Sequence, residues 1–138
     1  MPRRHRTPGT AADWLARATS SLALAQVAKP EEALWEDLCF NAQQAAEKAI
    51  KGMLTHGGIE FPLVHDLADL LELAETNGIP VPDDVKRSAR LTQYASLTRY
   101  PFAGETATEA EHAQAVELAR TVIAWARKAI SPDRGTTS

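Results

Sequence analysis

The chain has a single cysteine, Cys39, among its 138 residues. One cysteine excludes an internal disulfide framework and any site built from several cysteine ligands, and it fits a reducing, cytoplasmic setting. Cys39 sits in an apolar helical stretch and reads as a small core residue. Aromatic residues make up only 6%, and runs of β-branched residues are missing, which removes the usual signature of strands. No apolar run approaches the ~18 residues of a membrane helix, and the N-terminus lacks the apolar core of a secretory signal. No membrane association is expected. HExxH, GxSxG, the P-loop and GxGxxG are all absent. The four histidines, at positions 5, 56, 65 and 112, are scattered and belong to no ligand motif, so neither a metal nor a cofactor is expected.

Acidic side chains are missing from the first nine residues, MPRRHRTPG, which carry Arg3, Arg4 and Arg6. The net charge is −3, so the remainder carries −3 − 3 = −6. An acidic body argues against broad, nonspecific nucleic-acid binding. It leaves room for a small local anion site. The expected organisation is a basic, solvated arm over 1–9, one helical domain over 10–130 and a loose tail over 131–138.

What the chain does have is alanine, helical periodicity and a normal globular share of apolar residues, 44%. Five helices are predicted. The first spans Ala11 to Ala28, capped by Thr10 with Asp13 three residues on, and Lys29-Pro30 breaks it. The second spans Glu31 to His56, with Pro30, Glu31 and Glu32 at its positive end and Gly57-Gly58 after it. Its apolar face comprises Trp35, Leu38, Cys39, Ala42, Ala46, Ala49, Ile50 and Met53. The third is short, with Leu67, Leu70, Leu71 and Ala74 inward and Asn77-Gly78 at its end. The fourth opens at Asp83-Asp84 and runs to Thr98. The fifth is capped by Thr108 and Glu111, with Val116, Ala119, Val122, Ile123, Ala126 and Ile130 inward. Short connections favour antiparallel neighbours, so the fold is expected to be all-α, an up-and-down bundle of four to five antiparallel helices.

Three polar constellations stand out. On the second helix Asn41, Gln44, Lys48 and Lys51 lie along one stripe, and Glu47 is four residues before Lys51. The stripe is either a solvated face or the lining of a groove where Lys48 or Lys51 meets an anion. In PLVHDLADLL, His65 and Asp66 open the third helix. They serve either as local caps or, for His65, as part of a polar site with Glu47 and Lys48, where imidazole beside a carboxylate can move a proton. In YASLTRYPF, Tyr94 and Tyr100 flank Arg99, and helical spacing puts Arg87, Arg90, Tyr94 and Thr98 on one face. That group either plugs the end of the bundle or holds a phosphate and stacks a base.

CFNAQQAAEKAIKGML, PLVHDLADLL and YASLTRYPF, in this order, resemble the HEPN family of helical-bundle domains, over roughly Trp14 to Ala129. The resemblance implies a four- or five-helix bundle, usually a homodimer, often encoded beside a minimal nucleotidyltransferase. It implies nucleotide binding, or an RNA-cleaving toxin in a two-gene toxin–antitoxin module. The ribonuclease members carry an arginine followed, after four to six residues, by histidine, and two such pairs form a composite metal-independent site across the dimer. No arginine here has that spacing: Arg99 precedes His112 by twelve intervening residues, and the pair with a four-residue gap, Lys51 and His56, has lysine in place of arginine. The chain is similar to the branch carrying EK, HDL and RYP. For that branch the implied role is binding of nucleotide or RNA and docking of a nucleotidyltransferase partner. Gln44, Glu47, Lys48, His65, Asp66, Tyr94, Arg99 and Tyr100 are the candidate ligand-binding residues. Two alternatives remain: a metal-independent ribonuclease toxin with Arg99 and His65 as catalytic candidates, and a purely structural dimer.

Overall fold

The apolar positions of the sequence close into an all-α, up-and-down bundle of antiparallel helices. The structure is a computed structural model and describes residues 9–95 and 107–130. Helix α1 spans Ala11–Ala25, α2 Trp35–His56, α3 Leu67–Thr76, α4 Asp83–Lys86 and α5 Glu109–Ala129, with a 3₁₀ helix over Arg87–Tyr94 continuing α4. The basic arm, the tail, and the segment holding Thr98, Arg99 and Tyr100 lie outside the described residues.

Long α2 is the central element. Helix α1 covers it in the opposite direction: Lys48 meets Ser21, while Gly52 meets Trp14 and the carbonyl of Ala11. Helix α5 packs on α2 with like ends together, Ala107 N–H near Glu36 and Ile130 near Gly52. The core is rich in small residues, with Ala42, Ala45, Ala46 and Ala49 of α2 and Ala18 and Ala25 of α1 fully buried. Small side chains let the helix backbones approach closely, and dispersion contacts accumulate where the spacing is tight. Cys39 is buried among them. All six inward positions of α5 and all four of α3 are buried. Thr10 caps α1, Asp66 caps α3, and Thr108 with Glu111 forms a full capping box on α5.

Three expected boundaries move. Helix α1 stops at Ala25, not Ala28. The Ala25 carbonyl, which a further turn would engage, accepts instead from Nε2 of His112 at 2.6 Å. Helix α2 starts at Trp35, not Glu31. The Ala33 N–H closes a turn on the Pro30 carbonyl, and Lys29 Nζ clamps the carbonyls of Pro30 and Ala33 at 3.2 and 2.8 Å. Glu36 and Asp37, rather than Glu31 and Glu32, occupy the positive first turn of α2. The fourth helix is a single α turn that tightens into 3₁₀ geometry. That change matters for side-chain placement. At three residues per turn, i and i+3 eclipse, so Ser88, Leu91 and Tyr94 are buried while Arg87, Arg90 and Gln93 face outward. Tyr94 therefore falls on the inward ridge and does not share a face with the arginines.

Gly52 marks a close approach of α1 to α2. A Cβ there would stand 3.1 Å from Trp14 Cβ and 3.5 Å from the Ala11 carbonyl oxygen. Gly52→Leu is expected to lower stability by about 1–3 kcal/mol through overpacking. Urea unfolding checks it, with an unchanged midpoint as the contrary result.

Candidate functional site

The polar row of α2 does not face water; α1 and the loop before α3 cover it. Gln43 is fully buried, and Glu47 and Lys51 are only 4% and 6% exposed. The spacing Gln43, Glu47, Lys51 stacks them one turn apart on one face. Glu47 Oε1 accepts from Gln43 Nε2 at 2.8 Å, and Glu47 Oε2 accepts from Lys51 Nζ at 2.8 Å. Gln44 Nε2 donates to Gln43 Oε1 at 2.8 Å and extends the chain toward the surface. The Lys51 ammonium lies 5.9 Å from the Trp14 ring centroid and 5.6 Å from that of Phe61. The two rings meet edge to face. Aromatic faces complement a cation that burial has stripped of water.

His65 reaches the same carboxylate from the loop between α2 and α3. Its Nδ1 is 2.8 Å from Glu47 Oε2. Since an ionised carboxylate only accepts, Nδ1 carries the proton, and in the neutral form of the ring Nε2 is the nitrogen with the lone pair. The His65 side chain is 66% exposed, so this ring carries the network from the buried Glu47 to the surface. Its placement is fixed from both sides. The Val64 N–H bonds the Pro62 carbonyl, Leu67 is buried, and the Leu67 N–H donates to Thr92 Oγ1 of the 3₁₀ helix at 3.0 Å. Asp66 accepts from the Ala68 N–H at 2.9 Å and is the N-cap of α3.

Burial alone would raise the Glu47 carboxyl pKa. The hydrogen bonds from Lys51, Gln43 and His65 and the Lys51 charge outweigh it and hold the group below its ordinary 4.5. Lys48, one residue on, is in a different position. Its half-buried Nζ donates to Ser21 Oγ at 2.9 Å, and among the described residues no carboxylate lies within ion-pair distance. Burial and the charge of Arg17 push its pKa down, against a smaller pull from Glu47. Arg17 itself is paired with the buried Asp13 at 2.9 Å.

The structure thus brings Gln44, Glu47, Lys48 and His65 to one region. Asp66 is adjacent but occupied as a cap. Tyr94 lies elsewhere, buried beneath the 3₁₀ helix, and Arg99 and Tyr100 lie outside the described residues. Sequence reasoning passed over Gln43, Trp14, Phe61, Ser21 and Arg17. The Gln43–Glu47–Lys51 spacing was the one signal available, and it does not distinguish a buried ladder from an exposed one. No cluster of histidine, cysteine and acidic side chains suited to a metal occurs among the described residues, and no described helix is long and apolar enough to cross a membrane.

An alanine-rich helical bundle with a polar layer buried under its first helix defines an all-α domain. The chain belongs to the HEPN domain family, whose model matches residues 11–129. It is similar to an archaeal HEPN homologue of known crystal structure, with 28% identity and a TM-score of 0.68 over 86% of this chain and 96% of that one. No curated protein matches the chain.

Glu47→Ala is expected to cost about 3–5 kcal/mol, because Lys51 is left charged and buried without its partner. Glu47→Leu with Lys51→Met is expected to recover most of that loss, as an apolar pair of similar volume fills the site. The pH dependence has a definite sign. A carboxyl depressed on folding contributes stability above its unfolded value and loses it as pH falls from 4.5 through the folded value. Urea unfolding from pH 6 to about pH 3 checks this: the parent must lose more over that window than the apolar double variant.

Proposed function

We propose that this chain is a HEPN-type module that binds the phosphate of a nucleotide or an RNA segment at the Lys48–His65 face. Lys48 carries the reading. Among the described residues this half-buried ammonium has a hydroxyl for its hydrogen-bond partner, a guanidinium nearby and no carboxylate within ion-pair distance. A phosphate oxygen would answer it with a charge-assisted hydrogen bond. His65 is tied to Glu47, the residue before Lys48, and offers a ring nitrogen to the ligand, while Glu47, locked by Gln43 and Lys51, fixes the ring's tautomer. Arg99 and Tyr100 of the RYP segment supply the second phosphate contact and a stacking surface in this reading. It takes the module to be a cytoplasmic homodimer that docks a nucleotidyltransferase partner, as one half of a toxin–antitoxin pair.

Titration calorimetry with ATP and with inorganic phosphate tests the site. Lys48→Gln is expected to weaken binding at least ~10-fold, about 1.4 kcal/mol, and Arg99→Ala to weaken ATP binding while leaving folding intact. Affinity is expected to fall as pH rises toward the lowered Lys48 value, because the anion binds the charged form. Lys48→Gln should abolish that slope. Equal affinity in parent and Lys48→Gln would remove the site.

One observation favours a second reading. A histidine whose Nδ1 is held by a buried carboxylate while Nε2 has no partner among the described residues is arranged as a general base. In that reading His65 takes the proton of an RNA 2′-hydroxyl as its oxygen attacks the adjacent phosphorus, the P–O5′ bond breaks to leave a 2′,3′-cyclic phosphate, water protonates the departing 5′-oxygen, and Arg99 stabilises the developing charge. RNA cleavage that persists in EDTA and is lost in His65→Ala and Arg99→Ala would establish it. Intact RNA at high protein concentration would leave the binding module.

A further inference from the structure

The lysines of the chain lie among the described residues, and their surroundings differ. Lys51 is buried against Glu47 and two aromatic rings. Lys86 is exposed and paired with Glu75 at 3.0 Å. Lys29 Nζ donates to the carbonyls of Pro30 and Ala33 and stands over the Trp35 ring. Lys128 is exposed in the last turn of α5. Lys48 is half-buried against α1, where its Nζ donates to Ser21 Oγ at 2.9 Å, with no carboxylate within ion-pair distance among the described residues. Arg17 and Ser21 are four residues apart on α1 and share one face, which sets a permanent cation beside the ammonium. The Arg17 side chain is 56% exposed, with its Nε on Asp13. Burial and the like charge of Arg17 both favour the neutral amine of Lys48, and the opposing pull of Glu47 is smaller, that carboxylate being engaged by Lys51. At Lys86 the balance is reversed, since Glu75 favours the ammonium. A lysine that is desolvated or set beside another cation is an activated nucleophile.

We propose that Lys48 is an acylation site, whose amine takes the acyl group of a small acyl phosphate with Arg17 beside the departing phosphate. The Nζ lone pair attacks the acyl carbon, and an N–C bond forms. The bond from that carbon to the phosphate oxygen breaks, and inorganic phosphate leaves with the bonding pair. The extra proton on nitrogen passes to water. The products are an uncharged amide, inorganic phosphate and a proton. An acyl phosphate fits because its leaving group gathers negative charge next to a guanidinium that is always charged. A small acyl chain suits an amine half covered by α1. Acylation removes the charge that carries the phosphate-binding reading of Lys48. That consequence rests on the phosphate-binding reading, whereas the acylation itself does not.

Acetyl phosphate incubated with the folded protein, followed by peptide mass spectrometry of each lysine against time, tests the site. At about pH 7.5 Lys48 is expected to acetylate at least ~5-fold faster than Lys128, with Lys86 and Lys51 slower still, because the neutral fraction changes tenfold per pKa unit. Between about pH 7 and about pH 10 the Lys48 rate should level off at a lower pH than the Lys86 rate. Arg17→Gln is expected to cut the Lys48 rate at least ~3-fold and move its plateau to higher pH, while Arg17→Lys keeps both. The N-hydroxysuccinimide ester of acetic acid, an activated acyl donor without phosphate, should prefer Lys48 less than acetyl phosphate does. Circular dichroism checks that the variants are folded, and if Arg17→Gln is not, the ratio of Lys48 to Lys128 in the parent decides. A Lys48 rate no higher than that of Lys128, or one untouched in folded Arg17→Gln, overturns the site. An equal preference with the ester overturns the acyl phosphate as donor. Selective acetylation of Lys48 that leaves ATP affinity unchanged supports the acylation site and removes the phosphate-binding reading instead.

Discussion

The ion pair between Glu47 and Lys51 constrains the rest of the structure. Two charges are sealed inside a bundle whose core is otherwise largely alanine, leucine, valine and isoleucine. Each must be fully satisfied, since desolvating a lone ion costs several kcal/mol. Glu47 obtains this from Gln43, Lys51 and His65, and Lys51 from Glu47 and the faces of Trp14 and Phe61. The partners come from three places in the chain: α1, α2 and the loop before α3. Each is placed by its own local device. Thr10 starts α1 so that Trp14 sits over Gly52, and Asp66 and Thr92 end the loop so that His65 reaches inward. A buried pair of this kind adds little net stability over an apolar pair of equal volume. Its value to the molecule lies in what it orients, namely an imidazole at the surface with one nitrogen fixed.

Much of the fold was legible in the sequence because its helices carry redundant signals. In α5 the capping box, the apolar spacing and the basic last turn agree, and in α3 the Asp66 cap and the Leu67, Leu70, Leu71 and Ala74 pattern agree. The ends of α1 and α2 were less legible because remote side chains set them. His112, 87 residues away, takes the Ala25 carbonyl, and Lys29 wraps the turn that local propensity would give to α2. Neither effect has a local sequence signature.

The candidate site was half legible, for a related reason. The Gln43, Glu47 and Lys51 ladder obeys helical spacing, but charge on a helix is normally solvated. The close approach of α1 at Gly52, which brings Trp14 over Lys51, is what seals it. The link of His65 to Glu47 was one of two readings of the loop, because a histidine beside a helix start serves equally as a cap. Arg99 and Tyr100 were named on the RYP segment, which lies outside the described residues.

The fourth helix carries the same lesson to the surface. A 100° period groups Arg87, Arg90 and Tyr94, and a 120° period separates them. Packing decides between the two. Val85, Ser88, Leu91 and Tyr94 can all be buried against the bundle only if the helix closes on a three-residue repeat. Ser88 Oγ donates to the Val85 carbonyl at 2.6 Å, an i to i−3 link that suits the tighter winding. Once the apolar row is inside, the arginines have no place but outside, in line. Burial of one ridge thereby creates the other, and the exposed cationic row follows from how the core is filled.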